Sequence, residues 1–536
     1  MAREFEREIT AKELEQHFKE HSVAEFFKKN MQMLGLTGKI RTLTTIIHEY
    51  VTNSIDACED ARILPEIEVR ISELAPFYYE VMVKDNGPGL TKTTVGKALG
   101  KLLAGTKFHR LIQSRGQQGI GAAGVTMLSQ ITTGQPIKVL TGNGKETFAC
   151  EISIDVRKNE PKIANMQDLK KEFRGLLIKA RFKDVKYVKG EQGPAEYLRR
   201  TAIANPHVTI KFIDPNKEKF VFKRTVQQIP AKPKEVKPHP KGVTVDELIT
   251  LAKHTKAKKV VSFLKNDFDR MGEKAIQEIS KLVSFDLNKD PAQLKWHEAE
   301  ELVKAFKKVN FLAPRTDALR PIGKERIEKA MKSIVEPEFI AVVTRNPQVY
   351  RGGFPFQVEV AIAYGGKAGK IINGQKKIEI MRFANRVPLL FDAGGCAITK
   401  AVNSIDWRRY NIKDIENTPL TIFVNLISVF VPYTSAGKQA IADEEEIMEE
   451  LRLALMDCGR RISKYIAGKQ REYERKMKKE TFFKYIPEVA EALHKVTKEN
   501  SEMLKKRLER LVLERLKLEE KEVDDNEKKG KTAEES

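Results

Sequence analysis

The sequence predicts a multidomain protein of the α+β class, and three features of the chain support this prediction. With 536 residues, the chain is long enough for about three or four domains of ordinary size. Its composition changes twice, from a mixed, glycine-rich segment to an almost wholly helical one and then to a strand-rich one. A long stretch without proline follows, which favours one extended helix before a charged tail.

The first two predicted domains meet at a proline-rich linker. The first covers residues 1–229 and mixes helical with strand-like patterns. It ends at IPAKPKEVKPHPKG, where four prolines among lysines exclude regular secondary structure. The second, over 230–316, is predicted to be all-helical. Apolar residues recur at helical spacing in VDELITLAKH, in KKVVSFLKNDFDRMGEKAIQEISKLV and in PAQLKWHEAEELVKAFKKV.

The third and fourth domains differ in their use of strands. Residues 317–484 begin with short strands such as FPFQVEVAIAYGG, KIEIMRFANRVPLL and PLTIFVNLISVFVPY. They end in one long helix from Asp443 to beyond Met477, with the acidic run 443–446 in its first turn, at the positive end of the helix dipole. Residues 485–536 are predicted to form a helical arm and a disordered charged tail. The arm carries a leucine seam at Leu504, Leu508, Leu511 and Leu518.

Charge points to a polyanionic partner. Lys and Arg number 96 against 74 Asp and Glu, a net charge of +22, which makes a nucleic acid the first candidate. The mixed-sign surface of a heat-tolerant soluble protein has a similar composition, and this alternative stays open. No apolar run approaches the roughly 20 residues of a bilayer span, and MAREFEREITAKELEQ lacks the apolar core of a secretory signal. These patterns predict no membrane segment. Four singly scattered cysteines favour a reduced, cytoplasmic protein.

A helical segment carries the first candidate functional residues. In RTLTTIIHEYVTNSIDACEDA, the spacing places Glu49, Asn53 and Asp56 on one helix face. A carboxylate can act as a general base toward water, and an amide oxygen can bind Mg²⁺ without adding negative charge beside phosphates. An ordinary polar face of a surface helix shows the same pattern, so this segment alone does not decide between the two.

The second segment, FYYEVMVKDNGPGL, predicts a strand followed by a glycine turn. Tyr79, Val81 and Val83 alternate along the strand, and the turn is D-N-G-P-G at 85–89. Asn-Gly and Pro-Gly pairs are also ordinary turn chemistry. In the functional interpretation, a buried Asp85 carboxylate accepts a hydrogen bond from the exocyclic amine of adenine, while the glycines let the backbone approach the flat base.

The third segment, SRGQQGIGAAGVTMLSQ, places four glycines ahead of a predicted helix, where successive N–H groups can cradle phosphates. These are Gly116, Gly119, Gly121 and Gly124. The letters G-x-G-x-x-G also occur here, but we reject a dinucleotide fingerprint. The preceding KFHRLIQSRGQQ does not have the pattern of a buried strand, and no acidic residue ends the following run PIKVLTGNG. The sequence contains no Walker loop of the form G-x-x-x-x-G-K-[ST].

Taken in order, E-x-x-x-N-x-x-D-A, D-N-G-P-G and R-G-x-x-G-x-G strongly resemble the GHKL ATPase superfamily, which includes gyrase-type topoisomerases, the mismatch-repair clamp and a large heat-shock chaperone. The resemblance implies a GHKL-type α/β sandwich that binds ATP and Mg²⁺. It implies that Glu49 is the general base, Asn53 the Mg²⁺ ligand and Asp85 the partner of the adenine amine. It also implies ATP contacts from Thr106, Lys107, Gly116, Gln117, Gln118, Gly119, Ile120, Gly121, Ala122 and Ala123, in a lid over the phosphates.

Two further segments, HSVAEFFKKNMQMLG at 21–35 and VPYTSAGKQAIA at 431–442, resemble the B subunits of type IIB DNA topoisomerases. With them the resemblance spans nearly the whole chain: ATPase domain with an N-terminal dimerisation strap, helix-two-turns-helix insert, α/β transducer domain with a long C-terminal helix, and partner-binding arm. It implies that Lys438 of the transducer reaches the γ-phosphate of ATP and acts in catalysis. It also implies a self-dimer on ATP binding and passage of double-stranded DNA, which relaxes supercoils and decatenates duplexes. The partner is then the A subunit of topoisomerase VI, in an A2B2 heterotetramer.

The chain departs from the family pattern at two positions. Some relatives carry a lysine where this chain has Ala123, so Lys107 is a candidate for that phosphate contact. Leu176, in F-R-G-L-L-I-K, stands where a threonine is common, which puts a hydroxyl contact at the floor of the site in doubt. The alternative function is a nucleotide-switched DNA clamp or scaffold of the GHKL class without topoisomerase activity.

The helical insert leaves two points open. Its lysines are either a DNA-contacting face or a solvated one; they are Lys253, Lys256, Lys258 and Lys259. The insert also contains Asp267-Phe268-Asp269, the nearest approach to an acidic pair that could hold the metals of DNA cleavage. Because this pair falls in a helical run and not at a strand end, we expect the cleavage chemistry to come from another polypeptide.

Overall fold

A computed structural model describes residues 23–104, 111–116, 119–435 and 437–516. Most of the predicted strap and the lid residues Thr106, Lys107, Gln117 and Gln118 therefore lie outside the described residues, as does Leu518. The chain divides into two compact units, one of Met1–Asp406 with Asp414–Cys458 and the other of Trp407–Lys413 with Gly459–Ser536. The predicted limits of the four domains are not tested by this division and stay predictions.

A mixed sheet of eight strands opens the larger unit. Its strands are β1 (Glu66–Ala75), β2 (Tyr78–Lys84), β3 (Ile137–Asn143), β4 (Thr147–Asp155), β5 (Glu160–Asp168), β6 (Arg174–Lys183), β7 (Thr209–Ile213) and β8 (Lys219–Phe222). Their order is β5-β4-β3-β6-β2-β1-β7-β8, with only β1 and β7 parallel. The predicted alternation in β2 is confirmed, because Tyr79, Val81 and Val83 are buried between half-exposed neighbours.

Helices cover this sheet and complete an α/β sandwich. They are α1 (Val23–Lys29), α2 (Lys39–Asp60), α3 (Val95–Gly100), α4 (Gly121–Thr133) and α5 (Pro194–Ala204), with a short 3₁₀ turn at Met31–Leu34. Ile47 of α2, Val125 of α4 and Leu198 of α5 share one core with Val81 and Ile178 of the sheet. Residues 112–116 and 119–120, ahead of α4, are not in a strand. A dinucleotide fingerprint needs a strand at this place, so its rejection agrees with the structure. The predicted α/β sandwich is confirmed.

A helical insert with its own core follows the linker. Its helices are α6 (Val245–His254), α7 (Val260–Asp267), α8 (Glu273–Ser280) and α9 (Trp296–Lys308). Leu248, Phe263, Ile279 and Phe306 are fully buried in that core. The sequence predicted an all-helical segment here, and this prediction is confirmed.

The prediction that Asp267-Phe268-Asp269 lies in a helical run is wrong beyond Asp267, because this segment forms two helices, α7 and α8, with a break between them. The chain leaves helical conformation after Asp267, and Arg270 adopts a left-handed φ of 59°, which no α-helix accommodates. Asp269 therefore lies in a loop, buried, where it accepts a hydrogen bond from the backbone N–H of Arg315 at 3.2 Å and pairs with the Arg315 guanidinium. Asp267 accepts a hydrogen bond from the hydroxyl of Thr255. Both aspartates thus serve the structure of the insert.

The part of the larger unit that was predicted to be a transducer is built on a second sheet. Its elements are α10 (Lys324–Ile334), β9 (Phe339–Thr344), β10 (Gln348–Tyr350), β11 (Phe354–Tyr364), β12 (Lys370–Ile372), β13 (Gln375–Lys377), β14 (Glu379–Ala384), β15 (Val387–Pro388), α11 (Ala397–Asn403) and β16 (Leu420–Ser428). The order is β10-β11-β16-β14-β15, with β9 also paired to β11 and β12 paired only to β13. Ile203 and Ala204 of α5 share a core with Ile327 and Met381, which joins the two sheets.

A long helix, α12 (Glu445–Thr497), follows the second sheet and is confirmed. It begins two residues later than predicted: Asp443 precedes it and accepts a hydrogen bond from Lys400 at 2.9 Å. It also continues through Pro487. In the smaller unit, residues 501–516 are helical, with Leu504 buried and Leu511 exposed, so the predicted seam is partly packed. Among the described helices, none combines the length and apolar character of a membrane span.

Candidate active site

A cavity of about 640 Å³ is enclosed by α2, the turn after β2, the start of α4 and the loop around Lys438. A volume of several hundred cubic ångströms suits a nucleotide-sized ligand. Every predicted site residue that the structure describes lines it: Glu49, Asn53, Asp85, Gly116, Gly119, Ile120, Gly121, Ala122, Ala123 and Lys438. Segments far apart in sequence therefore converge on one site, as the three motifs predicted.

Asp85 forms the buried end of the cavity. Its Oδ1 accepts hydrogen bonds from the backbone N–H of Gly87 at 2.9 Å and of Leu176 at 3.1 Å, and its Oδ2 accepts from the Ser54 hydroxyl at 2.7 Å. Burial raises the pKa of the Asp85 carboxyl, and these three donors oppose the rise. A carboxylate has about four acceptor positions, so Oδ2 can still accept from a ligand amine.

Leu176 contacts Asp85 through its backbone N–H and has no side-chain hydroxyl to offer a ligand. Its N–H donates to Asp85 whatever the side chain, so the absence of the expected threonine leaves this contact intact. Gly175, just before it, has a φ of 117°, and a Cβ there would overlap the carbonyl oxygen of Asp85. Only glycine fits at a left-handed φ with such a close backbone approach. The glycine of F-R-G-L-L-I-K is thus required by the packing behind Asp85.

Glu49 lies directly against the glycine loop, since a Cβ on Gly121 would overlap its carboxylate. Beside it, His48 Nε2 lies 3.7 Å from Glu49 Oε1, and His48 Nδ1 lies 3.1 Å from the hydroxyl of Tyr197. Burial lowers the pKa of His48, so the ring is neutral near pH 7. His48 and Tyr197 were not predicted as site residues, because neither belongs to a motif.

Lys438 brings a cation from the predicted transducer to the same cavity. It is half-buried at a φ of 53°, with its N–H donating to the carbonyl of Ser435 at 3.1 Å. Burial lowers the pKa of its ammonium group, and the Glu49 carboxylate opposes this. A partly desolvated cation gains from any further anion that enters the cavity, which suits a residue placed to meet a terminal phosphate.

Asn53 and Ala123 differ in what they offer a ligand. Asn53 is exposed in the cavity one helical turn from Glu49, and its amide oxygen is a hard donor of the kind that Mg²⁺ takes together with phosphates and water. The residues present therefore fit Mg²⁺. Ala123 packs with Leu102, Met127 and Ile154 in a small apolar cluster, so this position serves packing where some relatives have a lysine.

Ser54 and Arg115 are two further site residues that were not predicted from the sequence. Ser54 donates to Asp85 from the same helix that carries Glu49. Arg115 directly precedes the glycine loop and pairs with Asp56 and Glu59 on that helix. A basic residue before the loop, with two carboxylates one turn apart on the motif helix, was the signal available for Arg115.

Comparisons with known proteins agree with this geometry. Residues 38–160 match the family described as Histidine kinase-, DNA gyrase B-, and HSP90-like ATPase, and residues 314–478 match Topoisomerase VI B subunit, transducer. The chain is 48% identical to the B subunit of type 2 DNA topoisomerase 6 from Pyrococcus horikoshii, over 95% of this chain and 98% of that protein. It is 49% identical to the protein of the same name from Methanothermobacter thermautotrophicus, over 88% and 90%.

Two solved structures are also similar to this chain. The ATPase region of Saccharomyces cerevisiae topoisomerase II is 11% identical, with a TM-score of 0.39 over 85% of this chain and 100% of that one. The N-terminal domain of a DNA repair protein is 12% identical, with a TM-score of 0.38 over 80% and 97%. The sequence relatives are nearly half identical over most of both chains, and both family models match. The chain therefore belongs to the family of type 2 DNA topoisomerase 6 B subunits and is the ATPase subunit of a type II DNA topoisomerase.

Proposed function

We propose that the chain is an ATP-operated gate, in which two copies close over bound ATP and hold one DNA duplex while a partner, the A subunit, cuts another. The observation that carries the proposal is the shared cavity, in which Lys438 of the transducer stands with Glu49 and Asp85 of the ATPase domain. A site built from both domains changes when its ligand changes, and so can drive a movement between them.

Each residue of the cavity has a role in this proposal. Asp85 accepts a hydrogen bond from the adenine amine, and Glu49 takes the proton of the attacking water. Asn53 would hold Mg²⁺, which supplies positive charge to the phosphates when bound. Lys438 contacts the γ-phosphate and lies shortly before the helix that starts at Glu445. Loss of that phosphate releases Lys438 and lets the helix move.

The wider assembly is also part of the proposal. The net charge of +22 favours a DNA duplex as the passing substrate. The A subunit, the cleaving partner in an A2B2 heterotetramer, docks on the arm after Tyr485, where Leu511 is 59% exposed. Cys58, Cys150, Cys396 and Cys458 are free thiols, which supports a cytoplasmic location. The clamp or scaffold function is not favoured, because the chain matches the topoisomerase transducer family as well as the ATPase family.

Sedimentation of the purified full chain tests the gate. A non-hydrolysable ATP analogue with Mg²⁺ is expected to convert monomer to dimer, because the closed state needs the γ-phosphate at Lys438. ADP is expected to leave a monomer. Glu49→Ala is a matched control that should dimerise with ATP itself, since it binds but does not hydrolyse. An unchanged mass with the analogue contradicts the gate.

A further inference from the structure

The residues just before the glycine loop are held from two sides. On the ATPase side, Arg115 is nearly buried, with 7% of its side chain exposed. Its Nη1 donates to Asp56 at 2.5 Å, and its Nη2 donates to Glu59 at 2.6 Å and to the side-chain oxygen of Asn205 at 2.7 Å. The fork therefore fixes Arg115 to α2, the helix that carries Glu49, and to the end of α5.

Charge balance shows how firmly Arg115 is bound. Burial alone would raise the pKa of Glu59, but the Arg115 guanidinium holds that pKa well below its usual range. His207 Nε2 also lies 2.8 Å from Glu59, and burial lowers the pKa of His207. With a neutral imidazole, the positive charges that act on Glu59 come from Arg115, which Asp56 shares, and from Arg386. A buried pair of this kind is costly to break from one side.

On the other side, the transducer holds the same segment. Gln113 is buried and makes two hydrogen bonds to Arg320: its Nε2 donates to the carbonyl at 3.1 Å, and its Oε1 accepts from the N–H at 2.6 Å. The amide of Asn385 donates to the carbonyl of Ser114 at 3.2 Å. Arg320 and Asn385 both lie within the residues that match the transducer family model.

Arg386 closes the arrangement into a ring. Its carbonyl accepts a hydrogen bond from Asn205 at 3.2 Å, and its guanidinium donates to the carbonyl of Arg320 at 3.0 Å. The ring thus runs from Arg115 through Asn205 and Arg386 to Arg320 and back through Gln113. Lys438 is not a member of it. Through Asp56 and Glu59, Arg115 fastens this ring to α2, the helix that carries Glu49.

We propose that Gln113 and Arg115 are positioning residues that couple α2, the helix of Glu49, to the transducer, by a route separate from Lys438. This inference rests on the proposed roles of Glu49 as general base and of Lys438 as the contact to the γ-phosphate. Lys438 then reports the γ-phosphate, while Gln113 and Arg115 report the position of α2 at the occupied site. The transducer moves fully only when both signals are present.

Hydrogen exchange of the full chain, with and without a non-hydrolysable ATP analogue, tests the coupling. In the wild type, the analogue should slow exchange about tenfold in peptides around Asp85 and in peptides around Arg320 and Asn385. Gln113→Met removes both bonds to Arg320 at nearly constant side-chain length. It should keep the protection around Asp85 and the analogue affinity within threefold, but lose most of the protection around Arg320. The control Gln277→Met, at an exposed position of the helical insert, should behave like the wild type.

Two further variants separate coupling from folding. Gln113→Glu keeps the bond from the Arg320 N–H and should lose about half of the transducer protection. Arg115→Lys keeps the charge but loses the fork, and we expect kcat to fall about tenfold at an unchanged KM for ATP. Without nucleotide, exchange in peptides around Asp85 and in the helical insert should match the wild type in each variant, which shows that the chain is folded. Full transducer protection in Gln113→Met overturns the inference, as does a raised KM with unchanged kcat in Arg115→Lys.

An error in the proposed nucleotide site and an error in the proposed coupling give different exchange results. If the analogue does not protect the Asp85 peptides of the wild type, the proposed nucleotide site is wrong. If it protects them, but the Arg320 peptides respond equally in the wild type and in Gln113→Met, only the coupling is wrong.

Discussion

Replacing Asp85 with asparagine removes one acceptor atom from the cavity and leaves its shape unchanged. The Oδ1 of Asp85 accepts from the N–H groups of Gly87 and Leu176. An asparagine must therefore keep its oxygen on that side and turn its NH₂ toward Ser54, whose hydroxyl can accept. The adenine amine then meets a donor where it requires an acceptor.

The magnitude follows from this geometry. A hydrogen bond to a charged group contributes about 1.5–3 kcal/mol, and about 1.4 kcal/mol corresponds to tenfold in affinity. We expect Asp85→Asn to weaken binding of a non-hydrolysable ATP analogue by roughly 10- to 150-fold. The protein itself should not be destabilised. Burial raises the pKa of Asp85, so its ionised form reduces stability at neutral pH, and the uncharged amide removes that cost.

Isothermal titration calorimetry with the analogue measures the affinity, and thermal unfolding checks the fold. Asp184→Asn is the matched control: Asp184 is exposed at a left-handed φ of 58°, which asparagine tolerates well. This control should bind as the wild type does. An Asp85→Asn variant with wild-type affinity and a normal melting temperature would refute the assignment of Asp85 to the adenine amine.

Other expectations concern hydrolysis, coupling and pH. Glu49→Ala should slow ATP hydrolysis by about 10²–10⁴-fold with analogue affinity kept within threefold; an affinity loss as large as that of Asp85→Ala would contradict its role as general base. Lys438→Ala should slow turnover and lower the plasmid relaxation obtained per ATP in the presence of the A subunit, whereas wild-type values of both would contradict the switch role. Burial lowers the pKa of His239 below 6.5, and its Nδ1 accepts from the N–H of Lys241. Stability contributed by the neutral ring is thus present above pH 6.5 and lost as pH falls through the lowered pKa, so melting temperatures measured between pH 7.5 and 5 should fall less in His239→Gln than in the wild type; equal slopes would contradict this.

The residues that sequence reasoning located are those whose function is written in local spacing. Glu49 and Asn53 share a face because the helix period requires it, and Asp85 follows a strand whose alternation is visible in the letters. Gln113 and Arg320, by contrast, are 207 positions apart, and nothing in either segment indicates the other. Their pairing depends on how the transducer sheet packs against α5, which only the folded chain shows.

Helix ends were the least predictable part of the fold. The apolar spacing of the insert continues past Asp267, but the helix is interrupted near the left-handed Arg270. Such a break is not visible in the sequence, because it leaves the pattern of apolar residues on each side unchanged. At Asp443 the charge pattern favoured a helix start, but the pairing with Lys400 holds that residue outside the helix. Both errors come from tertiary contacts that outweigh a weak local preference.

Plasmid relaxation by the purified chain, alone and with the A subunit, tests the central claim most directly. The account predicts salt-sensitive binding of duplex DNA by the chain alone but no cutting or relaxation. ATP-dependent relaxation should appear when the A subunit is added, and Glu49→Ala should abolish repeated cycles. ATP-driven relaxation of supercoiled plasmid by the chain alone, shown by mass spectrometry to be free of any partner, would contradict its assignment as the ATPase gate of a two-subunit enzyme.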